Sequence, residues 1–341
     1  MPATVGIETQ GTSVRAMGEV AAAADAGGME AAWAPELYSR SATITLAEFA
    51  ARTTRCRVGT AIAYGVGRSP LTLAAEARDL DEISDGRLVL GLGNGTRRMI
   101  ADWHGQDPSA PAVRMEELVV LVRRLWRLHE GPIAHDGRFY RLHIAPTGDL
   151  AAPLRERIPI YTAGVNPRMI EVAGRVADGL LGHPLFTTGY LEDVVLPAVD
   201  RGAAHTGRDP REVAVASLVF AAVHDDAEQA RREVAAQIGF YASAKTYAPI
   251  LERTGFAAEG EAIREAFRAG DLDAMIAAVS ERMVDALAVA GTPADVRAAL
   301  RRYDGLLDHV ILYTPSFRLT PERVHENALG LIAACAPGSG S

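Results

Sequence analysis

Short apolar runs rich in β-branched residues alternate along the chain with longer segments whose apolar residues recur at helical spacing. The runs predict strands at Thr4–Glu8, Glu30–Ala34, Arg57–Ala63, Leu88–Leu92, Ile158–Ala163, Gly179–His183, Val213–Val223 and Asp308–Thr314. Between them, Val14–Ala26, Leu71–Ile83, Arg114–Leu128, Pro167–Val176 and Gly189–Gly202 carry helical patterns. Strand–helix alternation implies a parallel sheet, because parallel neighbours need a crossover and a helix supplies it. Eight such strands suggest a closed (β/α)8 barrel of the TIM type with its site on the loops that follow the strands. A doubly wound sheet is the alternative that periodicity leaves open.

Two segments break the spacing. Gly131 to Tyr140 reads as a small hairpin turning at Asp136-Gly137. Ala227 to Ala290 is a run of helices with turns expected around Gly255, Gly260 and Gly270, so a helical insertion is placed at about residues 225–290, where a lid or a subunit contact would lie. With no linker visible, residues 1–336 are expected to form one barrel domain, followed by a flexible tail at 337–341.

Composition narrows the function. A net charge of −8 argues against nucleic acid and anionic membrane as partners. Lys245 is the only lysine, which removes Schiff-base chemistry elsewhere, and the two cysteines, Cys56 and Cys335, form neither a disulfide framework nor a CxxC pair. There is no HExxH or other metal spacing and no GxSxG elbow, so no metal site is expected. The first residues lack a basic region followed by an apolar stretch, and a cytoplasmic protein is expected.

Three places could carry chemistry. Leu88 to Thr96 runs from an apolar strand into the turn Gly93-Asn94-Gly95, whose glycines permit positive φ and close approach of a planar or anionic ligand, or simply a tight turn. Gly164-Val165-Asn166-Pro167 ends the fifth strand and starts a helix with a capping Asn and Pro at N1, so a phosphate there would meet backbone N–H groups and the helix dipole. Glu36, which follows the second strand, and His183, which ends the sixth, should face the same barrel mouth, whereas His104 lies beyond the glycine turn.

The longest ordered set of motifs is Arg57-Val58-Gly59-Thr60, Arg68-Ser69-Pro70, Leu80-Asp81-Glu82-Ile83-Ser84-Asp85-Gly86-Arg87 and Leu90-Gly91-Leu92-Gly93. A second block runs from Ile158-Pro159-Ile160-Tyr161 to Ala177-Asp178-Gly179. In these motifs the chain resembles the luciferase-like monooxygenase superfamily, and within it the coenzyme F420-dependent branch that includes methylenetetrahydromethanopterin reductase-like enzymes. The resemblance implies a (β/α)8 barrel holding a flavin or 5-deazaflavin across the strand ends. It further implies a bulge at Ala61 and Ile62, often with a non-prolyl cis peptide, under the ring. Gly93, Asn94 and Gly95 would lie beside the cofactor, Gly164, Val165 and Asn166 at its phosphate, and His183 near its tail. Some F420-dependent members carry an acid and a histidine after the second strand; here Glu36 is followed by Leu37, which disfavours alcohol oxidation with a histidine base. The expectation is an F420-dependent reductase acting on a small organic substrate, with Glu36 as proton donor and a homodimer or higher homo-oligomer as the assembly. An FMN-dependent two-component monooxygenase and a non-catalytic deazaflavin- or flavin-binding protein are the alternatives.

Overall fold

The computed structural model describes residues 1–336, and the tail expected at 337–341 lies outside the described residues. Eight strands, β1 (Thr4–Glu8), β2 (Ala31–Ala34), β3 (Arg57–Thr60), β4 (Leu88–Gly93), β5 (Ile160–Ala163), β6 (Gly179–Gly182), β7 (Ala214–Val223) and β8 (His309–Tyr313), pair in chain order. β8 returns to β1 and the sheet closes on itself as a parallel TIM barrel of the luciferase-like type. Each predicted strand is present, with ends that differ by a few residues. Two short strands went unpredicted: Ala63–Tyr64 beside the end of β4, and Ala288–Gly291 parallel to β7. The helix Ala42–Arg52 was also missed, because Thr43-Ile44-Thr45 at its start is a β-branched run; Ser41 caps it by accepting from Ile44 N–H at 3.4 Å.

The described chain divides into two compact units. One comprises Met1–Ala32, Gly182–Pro197 and the chain from Val215 onward. In it β8 lies between β1 and β7, with Ile311 opposite both Gly6 and Leu218, and Ile7, Phe220 and Leu312 are buried. Asn327, on the helix Pro321–Cys335, is fully buried; its Oδ1 accepts from Val223 N–H at 2.7 Å and its amide donates to Ala221 C=O at 3.0 Å, which satisfies the end of β7. The insertion after β7 is helical, as expected, with left-handed turns at Gly255 (φ 79°) and Gly270 (φ 74°). Gly260 departs from the expectation. It lies inside the helix Ala257–Ala269, packed so closely on Leu251 that a Cβ would stand 2.8 Å from its Cδ1.

The second unit comprises Trp33–Leu181 and Ala198–Ala214. Its strands pair in register, Val58 with Leu88, Leu90 with Ile160 and Thr162 with Leu180. The Leu80–Arg87 motif proves to be the turn that enters β4. Asp85 and Gly86 are left-handed (φ 53° and 74°), and the buried Asp81 carboxylate accepts from Arg155 Nε at 3.0 Å. Arg87 gathers Cys56 C=O at 2.7 Å, Thr53 C=O at 2.9 Å and Thr53 Oγ1 at 2.7 Å, tying the end of Ala42–Arg52 to the start of β4. The hairpin forms from Ile133–Asp136 and Arg141–Ile144, but Asp136 pairs with Arg141, so the loop is Gly137–Tyr140 rather than a tight turn at Asp136-Gly137. Glu117 opens it by accepting the N–H groups of Phe139 (3.1 Å) and Tyr140 (2.9 Å). No described helix is long and apolar enough to cross a membrane.

Because Arg87 donates to three oxygens of the buried Thr53 and Cys56, Arg87→Ala should lower stability by about 2–4 kcal/mol in urea unfolding.

Candidate active site

The second unit brings most of the predicted cofactor residues together. Gly59 lies flat under Trp33, where a Cβ would come 2.5 Å from ring carbons. The fully buried Thr60 hydroxyl donates to Gly91 C=O at 2.6 Å and accepts from Gly91 N–H at 2.9 Å, and a Cβ at Gly91 would collide with the Thr60 carbonyl. Beyond Thr60 the Ala61–Ile62 peptide is cis, as the resemblance implied, with Ala61 N–H bound to Ala34 C=O at 2.9 Å. Ile62 covers Gly93, where a Cβ would stand 2.9 Å from its side chain. Ala61 and Ile62 are half-buried, so this turn forms a partly open shelf on a sealed base.

Asn94 follows and is buried, with its amide donating to Pro111 C=O at 3.2 Å. Its Oδ1 is sealed from solvent and meets no donor. An unmet buried acceptor costs roughly 1–3 kcal/mol, which a ligand N–H would recover. Gly95 is exposed at φ 69° beside Tyr64. The Asn94 amide also lies 4.0 Å from the Met169 sulfur, on the first turn of the helix Pro167–Val176. At the start of that helix Asn166 Oδ1 accepts from Met169 N–H at 3.1 Å, and Gly164 is pressed on the same turn, a Cβ there standing 2.9 Å from Ile170 N. Asn94, Gly164 and Asn166 are thus joined through Met169, while Val165 is half-buried in the turn.

Glu36 does not sit as a proton donor. Its carboxylate, 8% exposed, accepts from Arg68 Nη1 (2.7 Å) and Nη2 (2.6 Å), Tyr64 N–H (2.7 Å) and Ala42 N–H (3.4 Å). The hydrogen bond to Glu36 holds the Arg68 pKa above its ordinary value, and burial opposes it only in part. Through these bonds Glu36 anchors the chain that leaves the Ala61–Ile62 turn. Leu37, the residue that follows it, is 45% exposed.

A different acid emerges in the other unit. Glu8, at the C-terminal end of β1, is 1% exposed and accepts from the Gln10 amide at 2.9 and 3.1 Å. Burial pushes its pKa well above the carboxylate range and the Gln10 hydrogen bond offsets only part of this, so its environment favours the protonated form. It is paired in register with Tyr313, whose hydroxyl lies 3.4 Å from that of Tyr241 and 3.5 Å from the Gln237 amide. Burial holds Tyr313 as a phenol. Gln237 is oriented by Ser316 and Phe317 N–H groups, both at 2.9 Å from its Oε1. The sequence did hold a signal for Glu8: an acid at the C-terminal end of a predicted barrel strand.

His183 belongs to this second group. Its ring centroid lies 4.3 Å from that of Tyr247, 5.4 Å from Tyr241 and 6.3 Å from Phe186. Leu185 N–H donates to Nδ1 at 3.3 Å, which puts the proton of the neutral ring on Nε2. Burial lowers its pKa to about 3.

The model of the luciferase-like monooxygenase family matches residues 1–309. Uncharacterized protein Rv1360 of Mycobacterium tuberculosis is 33% identical over 300 residues, covering 86% of this chain and 88% of that protein. Rv3520c of the same bacterium, a putative coenzyme F420-dependent oxidoreductase, is 27% identical over 296 residues, covering 82% and 84%. The coenzyme F420-dependent tetrahydromethanopterin reductase of Methanopyrus kandleri has the same fold, with a TM-score of 0.81 at 23% identity over 98% of both chains. The chain belongs to the luciferase-like monooxygenase family and is an oxidoreductase of its flavin- or F420-dependent kind.

Proposed function

We propose that the protein is an F420-dependent reductase that adds hydrogen across an activated C=C, C=N or C=O bond of a small organic substrate. The observation that carries this reading is Glu8, buried at a strand end with only the Gln10 amide on its carboxyl, where burial raises its pKa and favours an acid able to give a proton. The similarity to Rv3520c supports F420 over FMN. When bound, reduced F420 supplies a hydride from C5 of its deazaflavin ring. Ala61 and Ile62 would carry the ring, Asn94 Oδ1 would accept one of its N–H groups, and Gly164, Val165 and Asn166 would receive the phosphate.

Glu8 gives its proton to the substrate atom that gains the electron pair and recovers one from water, with Gln10 holding the carboxyl in place throughout. Tyr313, kept as a phenol and aligned by Tyr241 and Gln237, orients the polar end of the substrate.

Oxidation of reduced F420, followed by absorbance over a panel of unsaturated carbonyl and imine substrates, tests the reading; a chain that binds F420 yet never consumes it fails. Glu8→Gln should lower kcat by about 10²–10⁴-fold with little change in cofactor affinity. The acid is present below its raised pKa and lost above it, so the wild-type rate should fall as pH rises through that value and the variant's should not. Glu36→Gln should keep the pH limb while losing stability. Gly164→Ala measures the steric cost at the proposed phosphate turn, and Gly164→Asp should weaken F420 binding about tenfold further, because the charge opposes the phosphate.

A further inference from the structure

The insertion after β7 places its aromatic side chains on His183. Tyr241 comes from the helix Ala227–Ala242 and Tyr247 from the turn Lys245–Tyr247, and both rings are within 5.4 Å of the imidazole, centroid to centroid. Phe186, two residues past the Pro184 that follows His183, closes another side at 6.3 Å. The imidazole is half-buried as a residue, but Nε2 itself is sealed from solvent and meets no protein acceptor. Since Leu185 N–H occupies Nδ1, Nε2 carries hydrogen, and the result is a sealed N–H donor with nothing to receive it. Such a donor inside aromatic walls is the recognition element of a pocket for a planar ligand bearing an acceptor atom. The same rings lead to the acid. Tyr241 stacks on His183 edgewise and its hydroxyl is 3.4 Å from that of Tyr313, which pairs in register with Glu8.

We propose that His183, Tyr241, Tyr247 and Phe186 form the substrate compartment, that Nε2–H of His183 donates to a carbonyl or ring-nitrogen acceptor of the substrate, and that the substrate class is the uncharged, planar, conjugated carbonyl compounds. The proposal rests on the reductase reading above, because the acceptor held by His183 lies on a molecule whose reducible bond is served by Glu8. It reassigns His183 from the cofactor tail to the substrate. A charged ligand is disfavoured on two grounds. The imidazole stays neutral on burial, so it offers a carboxylate no ion pair. Tyr313 and Glu8, which connect to it through Tyr241, are held toward their uncharged forms by burial.

The test is binding to the full chain, with and without saturating F420, by calorimetry. The probes are menadione, 1,4-naphthoquinone and coumarin, with 2-naphthoate as the charged counterpart. His183→Phe keeps an aromatic ring and deletes the donor, and His183→Gln restores a donor. The expected result is that at least one uncharged probe binds and 2-naphthoate does not. Its Kd should rise at least about tenfold in His183→Phe and recover in part in His183→Gln, with the F420 affinity unchanged in both. The proposal is overturned if no uncharged probe binds, if its affinity ignores the phenylalanine variant, or if the variant loosens F420 instead. Failure of the reductase reading looks different: F420 is bound but never consumed, or not bound at all, whatever the probes do.

Discussion

One hydroxyl sets the geometry of the second unit. At Thr60 the side chain, not the backbone, takes both the N–H and the C=O of Gly91, so β3 is released from β4 one residue early and the chain turns away at Ala61–Ile62. The exchange works only because Gly91 has no Cβ, which would strike the Thr60 carbonyl. Gly59 under Trp33 and Gly93 under Ile62 extend the same close approach on either side. Glu36 and Arg68 then fix where the released chain goes by holding Tyr64 N–H. The shelf proposed for the cofactor ring is thus a consequence of backbone contact, and its chemistry is limited to what lies beside it: an unmet Asn94 oxygen and a helix start capped by Asn166.

The electrostatics of the two carboxyl groups at strand ends separate their roles. Glu36 is surrounded by donors, among them the Arg68 guanidinium, and is an anchor. Glu8 has burial and the Gln10 amide, and remains an acid. Similar side chains near the ends of two barrel strands do different work because donors ring one, while the other is buried with a single amide partner.

The strand order was legible because buried parallel strands read as continuous apolar runs, and β2, β4 and β6 are such runs. The helix Ala42–Arg52 was hidden by its β-branched start, and the hairpin loop was misread because Glu117, outside the hairpin, decides its shape. The motifs that carried the family resemblance turned out to be largely scaffold: Arg87 and Asp81 act at the entrance to β4, and Gly59, Thr60 and Gly91 at the release of β3. Glu36 was legible as an acid at a strand end, but its neutralising partner, Arg68, is thirty-two residues further along the chain. The aromatic setting of His183 comes from the insertion, whose packing no local pattern reveals.

Cofactor choice is the point on which the rest turns, and direct titration of the purified chain with F420 and with FMN, each followed by fluorescence, tests it most simply. The predicted result is saturable F420 binding that excess FMN does not displace and that Gly164→Asp weakens. Tight binding of FMN with no binding of F420 would contradict it.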